Sequence, residues 1–247
     1  MNLVTFTTSG SLKVCKNLLL NARKFNIEKN FSVYCLDEES FLEIDKFNCK
    51  TKLFKIDDIG EGFQEYGRGN FRRVTEAKIQ IILRELKDND SLIYTDCDVA
   101  FRKNPTDIII KSMEQAKRDN IDIIFASDSP SMLICTGFMC VRNTDNVHRL
   151  FKEYFRLSQE YGVHKNEHMF DQEIIFQILS TDSNYFNMKW GIYPTEFIKN
   201  GHLYWSCSQR TGDEIIVHAN FTIGEKNKID RLKEANVWFI EEKKEII

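Results

Sequence analysis

Proline is scarce in this chain, three residues in 247, and glycine is limited to eleven. No Pro/Gly/Ser-rich linker, internal repeat or low-complexity tract divides it, so the chain reads as one domain. It has no run of about 18 apolar residues, which excludes a hydrophobic membrane-spanning helix. The opening "MNLVTFTTSG" has neither the basic start nor the apolar length of a signal peptide, and a cytoplasmic location is expected. Positive charge is not in excess: the formal net charge is −3, and Lys and Arg are scattered among acids. Without a basic tract, nucleic acid is not an expected partner. The seven cysteines include no CxxC pair, and their odd number cannot all pair within the chain. Reduced, buried thiols are expected, and a zinc site is not.

What is present is enough apolar sequence, 42% of residues, for one large α/β core. "LVTFTT" reads as a strand, and "SLKVCKNLLLNARKF" after it carries Leu12, Cys15, Leu18, Leu19 and Ala22 at helical spacing. "FSVYCL" and "TKLFKI" read as further strands. "RRVTEAKIQIILREL" repeats a helical face, and "SLIYTDCDV" reads as the fourth strand. This alternation predicts a parallel sheet with helices on both faces. "IDIIFASD", "MLICTGFMCVR" and "EIIVHAN" are later strands; "NVHRLFKEYFRLSQEYG", "DQEIIFQILS" and "KNKIDRLKEA" are helical. Because these later elements alternate less regularly, the sheet is expected to become mixed in the second half. Ligands of open α/β sheets bind beyond the carboxyl ends of strands, so chemistry is expected there.

Two Asp-x-Asp triplets occur. Asp88-Asn89-Asp90 lies in "LKDNDS" between a helix and a strand, where short polar side chains close turns. Asp96-Cys97-Asp98 instead ends an apolar strand and is followed at once by "VAF". Carboxylates in such surroundings are costly unless a charge compensates them. A divalent cation does so: period-two alternation sends Asp96 and Asp98 to one side, and their hard oxygens suit Mn²⁺ or Mg²⁺ with phosphate completing the shell. The other reading is one acid in a salt bridge and one capping a turn.

In order, these segments resemble the metal-dependent glycosyltransferases of GT-A fold that use nucleotide-diphospho-sugars. The nearest branch is the retaining one that includes plant xylosyl- and galactosyltransferases, and the motif order is also similar to glycogenin-like enzymes. The resemblance runs from "TFTTSG" to "HANFTIGEKNKIDRL" and is weak over about 180–212. It implies a single Rossmann-like domain over 1–247, with a nucleotide-binding half to about residue 100 and an acceptor-side half from about 101. It places Thr7 and Thr8 at the uridine pocket. Tyr66 and Arg72, with Arg73, lie ahead of Lys78, which matches a basic residue preceding DxD. Asp128 matches an acid that grips donor-sugar hydroxyls. Thr136 and Gly137 match a segment where backbone approaches the sugar, although Gly137 also reads as a strand bulge. Asp171 and Gln172 match the pair at the anomeric centre; as bare sequence they read equally as a helix N-cap and its neighbour. His218 matches a third metal ligand beside Asp96 and Asp98, with Cys97 between the acids. Gly224 and Lys228 match the diphosphate end. The interval from His218 to Gly224 is longer than the glycogenin-like motif allows; it fits the plant-type arrangement and favours Lys228 over Lys226.

The resemblance therefore implies Mn²⁺- or Mg²⁺-dependent transfer from a UDP-sugar, first UDP-xylose with UDP-galactose and UDP-glucose next, to a glycan hydroxyl with retention. The Asn-, Lys- and Ile-rich composition is similar to that of cytosolic glycosyltransferases of large algal DNA viruses. Two rival readings stand beside this one: a sugar nucleotidyltransferase, for which "TTSGSL" is a poor phosphate loop, and a non-catalytic nucleotide- or carbohydrate-binding module.

Overall fold

The computed structural model describes residues 1–56, 71–128, 134–163, 169–181 and 187–241. Tyr66 lies outside them. The chain opens with β1 (Leu3–Thr7), α1 (Leu12–Lys24), β2 (Phe31–Cys35), α2 (Glu38–Ile44), β3 (Lys50–Leu53) and α3 (Phe71–Leu86). Next come β4 (Ser91–Thr95), β5 (Val99–Phe101), α4 (Thr106–Arg118), β6 (Ile123–Ser127) and β7 (Ile134–Arg142). The remaining elements are α5 (Asp145–Val163), α6 (Asp171–Thr181), β8 (Trp190–Ile192), β9 (Ile198–Lys199), β10 (Ile216–His218) and α7 (Glu225–Glu234).

The main sheet runs β3-β2-β1-β4-β7-β6-β8. The first four strands are parallel, and β7 is antiparallel to both β4 and β6. That is the mixed second half expected from the broken alternation. Alternate residues feed two cores: Leu3 and Ile93 pack with α1, α2 and α4, while Val4, Leu92 and Tyr94 pack with α3, α5 and α6. Strands covered on both faces need apolar residues at every position, which is why "LVTF" and "SLIYT" read as continuous runs.

One strand expectation is corrected. "SLIYTDCDV" is not one strand: β4 stops at Thr95, the chain turns through Asp96–Asp98, and β5 pairs with β10 in a second sheet of order β5-β10-β9. The turn is closed by Val99 N donating to the Asp96 carbonyl at 3.3 Å, and Asp96 N donates to the Gly137 carbonyl at 2.7 Å. A third core, with Val14, Ala100, Val217 and Leu232, ties the small sheet to α1 and α7. The site lies where the two sheets part, beyond the carboxyl ends of β1 and β4.

Two helices carried by the sequence were not anticipated, α2 and α4. The first is seven residues long, with the Asp37 carboxylate accepting from Ser40 N at 2.8 Å as its N-cap. In the second, three consecutive isoleucines imitate a strand, although Ile109, Ser112 and Ala116 form a buried helical face. All seven cysteines are free thiols.

Candidate active site

A cavity of about 850 Å³ opens at this junction. Its floor is the Asp96–Asp98 turn. Asp98 is buried, whereas the Asp96 side chain keeps 28% of its exposure. His218, the last residue of β10, brings Nε2 to 3.0 Å from Asp98 Oδ1 and 3.8 Å from Asp96 Oδ2. One ligand atom from each of the three lies within 4.8 Å of the others. Two carboxylate oxygens and an imidazole nitrogen form a donor set compatible with Mn²⁺, and with Mg²⁺ when oxygens of a phosphate join them. Gly137 makes the arrangement possible, since a Cβ there would strike the His218 ring and lie 2.8 Å from Asp96 Oδ2.

The acids are compensated within the chain. Lys228, on α7, donates to Asp98 Oδ2. Burial works against the charge of Asp98, but Lys228 and His218 overcome it and hold the carboxyl far below the usual range. The same burial opposes His218, yet Asp98 raises its imidazolium to about 10. Lys226 is exposed and does not line the cavity, while Lys228 does.

Lys78 sits on the other side of the turn. Its side chain is 8% exposed, so it is no solvated helix lysine; Nζ lies 2.8 Å from Asp171 Oδ2 and 3.3 Å from Asp96 Oδ1. Burial lowers its affinity for a proton, but the two carboxylates outweigh that and raise it. Thr136 Oγ1 donates to Asp171 Oδ2 at 2.7 Å, and Thr136 N donates to Gln172 Oε1 at 3.3 Å. Gln172 Nε2 in turn donates to Asp128 Oδ2 at 2.8 Å. The bare-sequence reading of Asp171 as an N-cap is corrected by this network. Asp171 is the first residue of α6, and the helix start is closed by Phe170 N donating to Glu173 at 3.0 Å.

Asp128 leaves Oδ1 buried without a hydrogen-bond partner among the described residues. Burial raises its carboxyl to about 6. A buried, cavity-lining acceptor without a donor is a demand for one, because the unmet hydrogen bond costs about 1–3 kcal/mol.

The remaining candidates divide. Thr8 lines the cavity; Thr7 is buried, its hydroxyl donating to the Thr8 carbonyl at 3.1 Å. Cys97 lines it too, and burial raises its thiol to about 12, so it stays protonated. Gly224 stands at φ 90° as N-cap of α7 on the cavity rim. Arg72 points to α5, donating to the Ser158 carbonyl at 3.3 Å and stacking on Phe170, and Arg73 is exposed. Tyr94 and Phe6 are among the cavity residues that escaped the sequence reading. Tyr94 donates its hydroxyl to Asp96 Oδ1 at 2.7 Å, and Phe6 lines the wall beside it with ring centroids 6.4 Å apart. Both sit two residues before a candidate, Asp96 and Thr8, so strand alternation held the signal.

A family profile described as nucleotide-diphospho-sugar transferase matches residues 26–232. The chain belongs to this family. Among relatives of this chain is the UDP-galactose:fucoside alpha-3-galactosyltransferase of Dictyostelium discoideum, 21% identical over 96% of this chain and 43% of that protein. Another is UDP-D-xylose:L-fucose alpha-1,3-D-xylosyltransferase 3 of Arabidopsis thaliana, 22% identical over 72% of this chain and 50% of that one. The chain thus spans about half the length of these relatives. Similar solved structures include a glycosyltransferase involved in glycosylation of the major capsid of PBCV-1, with TM-score 0.58, 13% identity, and coverage of 95% and 100%. The galactosyltransferase LgtC, in complex with donor and acceptor sugar analogues, has TM-score 0.58 at 10% identity, covering 98% of both chains. At such identity these neighbours establish the GT-A fold. No helix among the described residues is long and apolar enough to cross a membrane.

Proposed function

We propose that this domain moves a sugar from a UDP-sugar to a glycan hydroxyl with retention of anomeric configuration. The observation that carries the reading is the Asp96, Asp98 and His218 cluster on the floor of a large cavity, with Lys228 alongside. A divalent cation held by those three side chains, Mn²⁺ first and Mg²⁺ second, would neutralise the diphosphate as it leaves. Lys228 adds a second positive charge for the same phosphates. Thr8 and the Phe6 ring offer a hydroxyl and an apolar face for the uridine. Asp128 Oδ1 accepts a donor-sugar hydroxyl, the partner it lacks among the described residues. Lys78 and Thr136 fix the Asp171 carboxylate, and Gln172 is fixed between Thr136 and Asp128, so both are oriented before substrate arrives.

Residues to about 100 supply the nucleotide side and later ones the acceptor side, except that His218, Gly224 and Lys228 reach back to the phosphates. UDP-xylose and UDP-galactose are the donors favoured, and a fucoside the acceptor, because these appear in the relatives' names. Those names also say alpha; since such UDP-sugars carry the sugar as the α-anomer, an alpha product supports retention. The acceptor then attacks on the leaving-group face, and the departing diphosphate takes its proton.

The test is calorimetric binding of UDP with and without Mn²⁺ to wild type and Asp98→Ala. Binding that requires Mn²⁺ and disappears in the variant is the expected result. UDP affinity indifferent to both the metal and Asp98, in a folded protein, would overturn the assignment.

A further inference from the structure

Two large apolar side chains stand exposed on the rim of the cavity, Phe221 at 45% and Ile223 at 61%. The other exposed large hydrophobics among the described residues lie away from it. These two belong to the stretch between His218 and Gly224, and Phe221 is held rather than loose. Its φ is 54°, a left-handed conformation that a bulky residue adopts only when its surroundings impose it. They do so at Asn220, whose Oδ1 accepts from Gly201 N at 2.6 Å and whose carbonyl accepts from the Arg231 guanidinium. Gly201 permits the approach, since a Cβ there would collide with that carbonyl. The Phe221 ring then rests on His202, with centroids 5.7 Å apart and planes at 48°.

A fixed, half-exposed aromatic ring continuous with the proposed donor cavity suits a sugar, which offers one apolar C–H face and a hydroxyl edge. Donor hydroxyls are met by Asp128 deeper in, so the rim faces the incoming acceptor. The geometry points to Phe221 and Ile223 as the acceptor-specificity surface, taking the apolar face and C6 methyl of a 6-deoxyhexose. It rests on the glycosyltransferase reading above. Two bare apolar side chains favour a methyl over a hydroxymethyl, whose hydroxyl would be desolvated against them without a partner. The fucose in both relatives' names is such a sugar.

The test titrates methyl α-L-fucoside and its 6-hydroxy counterpart, methyl α-L-galactoside, into protein loaded with UDP and Mn²⁺. Wild type should prefer the fucoside about tenfold, the discrimination one such group supports in an apolar pocket. Phe221→Asn keeps the left-handed backbone, which Asn tolerates, and should reduce that preference to within about twofold, with UDP affinity held. Ile223→Thr should weaken the preference in the same direction, and Phe221→Trp should retain it. Two results overturn the inference while leaving the UDP reading intact: wild type that binds UDP but treats both glycosides alike or binds neither, and a Phe221→Asn protein with undiminished preference. Failure of wild type to bind UDP at all removes the functional reading, and this inference with it.

Discussion

At Gly137 a hydrogen atom stands where any other residue would place carbon against the His218 ring and the Asp96 carboxylate. The resemblance makes this glycine a place where backbone approaches sugar; in the structure it lines the cavity, and the space its missing Cβ leaves is taken by His218 and Asp96. Gly137→Ala must push the imidazole aside. It should cost about 1–3 kcal/mol of stability, read from urea midpoints, as for other overpacked sites. In the protein that remains folded it should weaken Mn²⁺ affinity about 10- to 100-fold, the scale on which displaced ligand support acts. An unchanged Mn²⁺ isotherm would show that His218 is not among the ligands. Lys78 illustrates the limit of sequence at this scale. Its place on a helix was legible from the apolar spacing of "RRVTEAKIQIILREL", but only folding brings Asp96 and Asp171 to within 3.3 and 2.8 Å of its ammonium. Tyr94 could have been found, because it stands two positions before Asp96 at the end of β4, where strand alternation sends both side chains the same way.

Among elements, the turn that separates β4 from β5 converts a strand-like sequence into a site. Had the strand continued, Asp96 and Asp98 would share one face; the turn instead hands Asp98 to the second sheet, where its carbonyl accepts from Ala219 N at 3.0 Å. That bond sets β10, and therefore His218, against the acids. α7 is set by Gly224, whose φ of 90° and ψ of 142° lie outside the regions open to residues with a Cβ. Gly224→Ala should lose about 1–3 kcal/mol of stability, the cost of a strained backbone position, and weaken UDP affinity by misplacing Lys228. Chemical denaturation together with UDP calorimetry checks this; full stability and full affinity would mean that the helix start tolerates a Cβ. The short helix α2 was hidden because seven residues hold barely two turns of periodicity, and its cap, Asp37, is a residue type common in loops.

Over the whole molecule, buried acids link distant parts of the sheet. Glu85, at the end of α3, accepts from the Tyr34 hydroxyl at 2.8 Å, from Asn2 at 3.2 Å and from Lys52, tying β1, β2 and β3 to one carboxylate. Burial alone would raise its carboxyl, but the Lys52, Tyr34 and Asn2 hydrogen bonds outweigh it and hold it below the usual range. A carboxyl lower in the folded than in the unfolded chain contributes stability that is fully present above the unfolded value of about 4.3. That contribution is lost as pH falls through the folded value. The urea midpoint should therefore decline with falling pH below about 4.3, and Glu85→Gln should decline less steeply over that range. Parallel slopes for the two proteins would assign the acid sensitivity to other carboxylates.

Hydrophobic periodicity was enough, without tertiary information, to imply one α/β domain, the first parallel strands, most helices and the apolar strand end that carries Asp96 and Asp98. These depend on contacts within a strand or a helical turn, and the sequence encodes them as spacing. The break after Thr95, the burial of Lys78, the spare oxygen of Asp128 and the meeting of Asp98 with His218 and Lys228 were decided only by the fold. Each joins residues tens to more than a hundred positions apart, and no local period records which charges will share a low-dielectric cavity once the chain has closed.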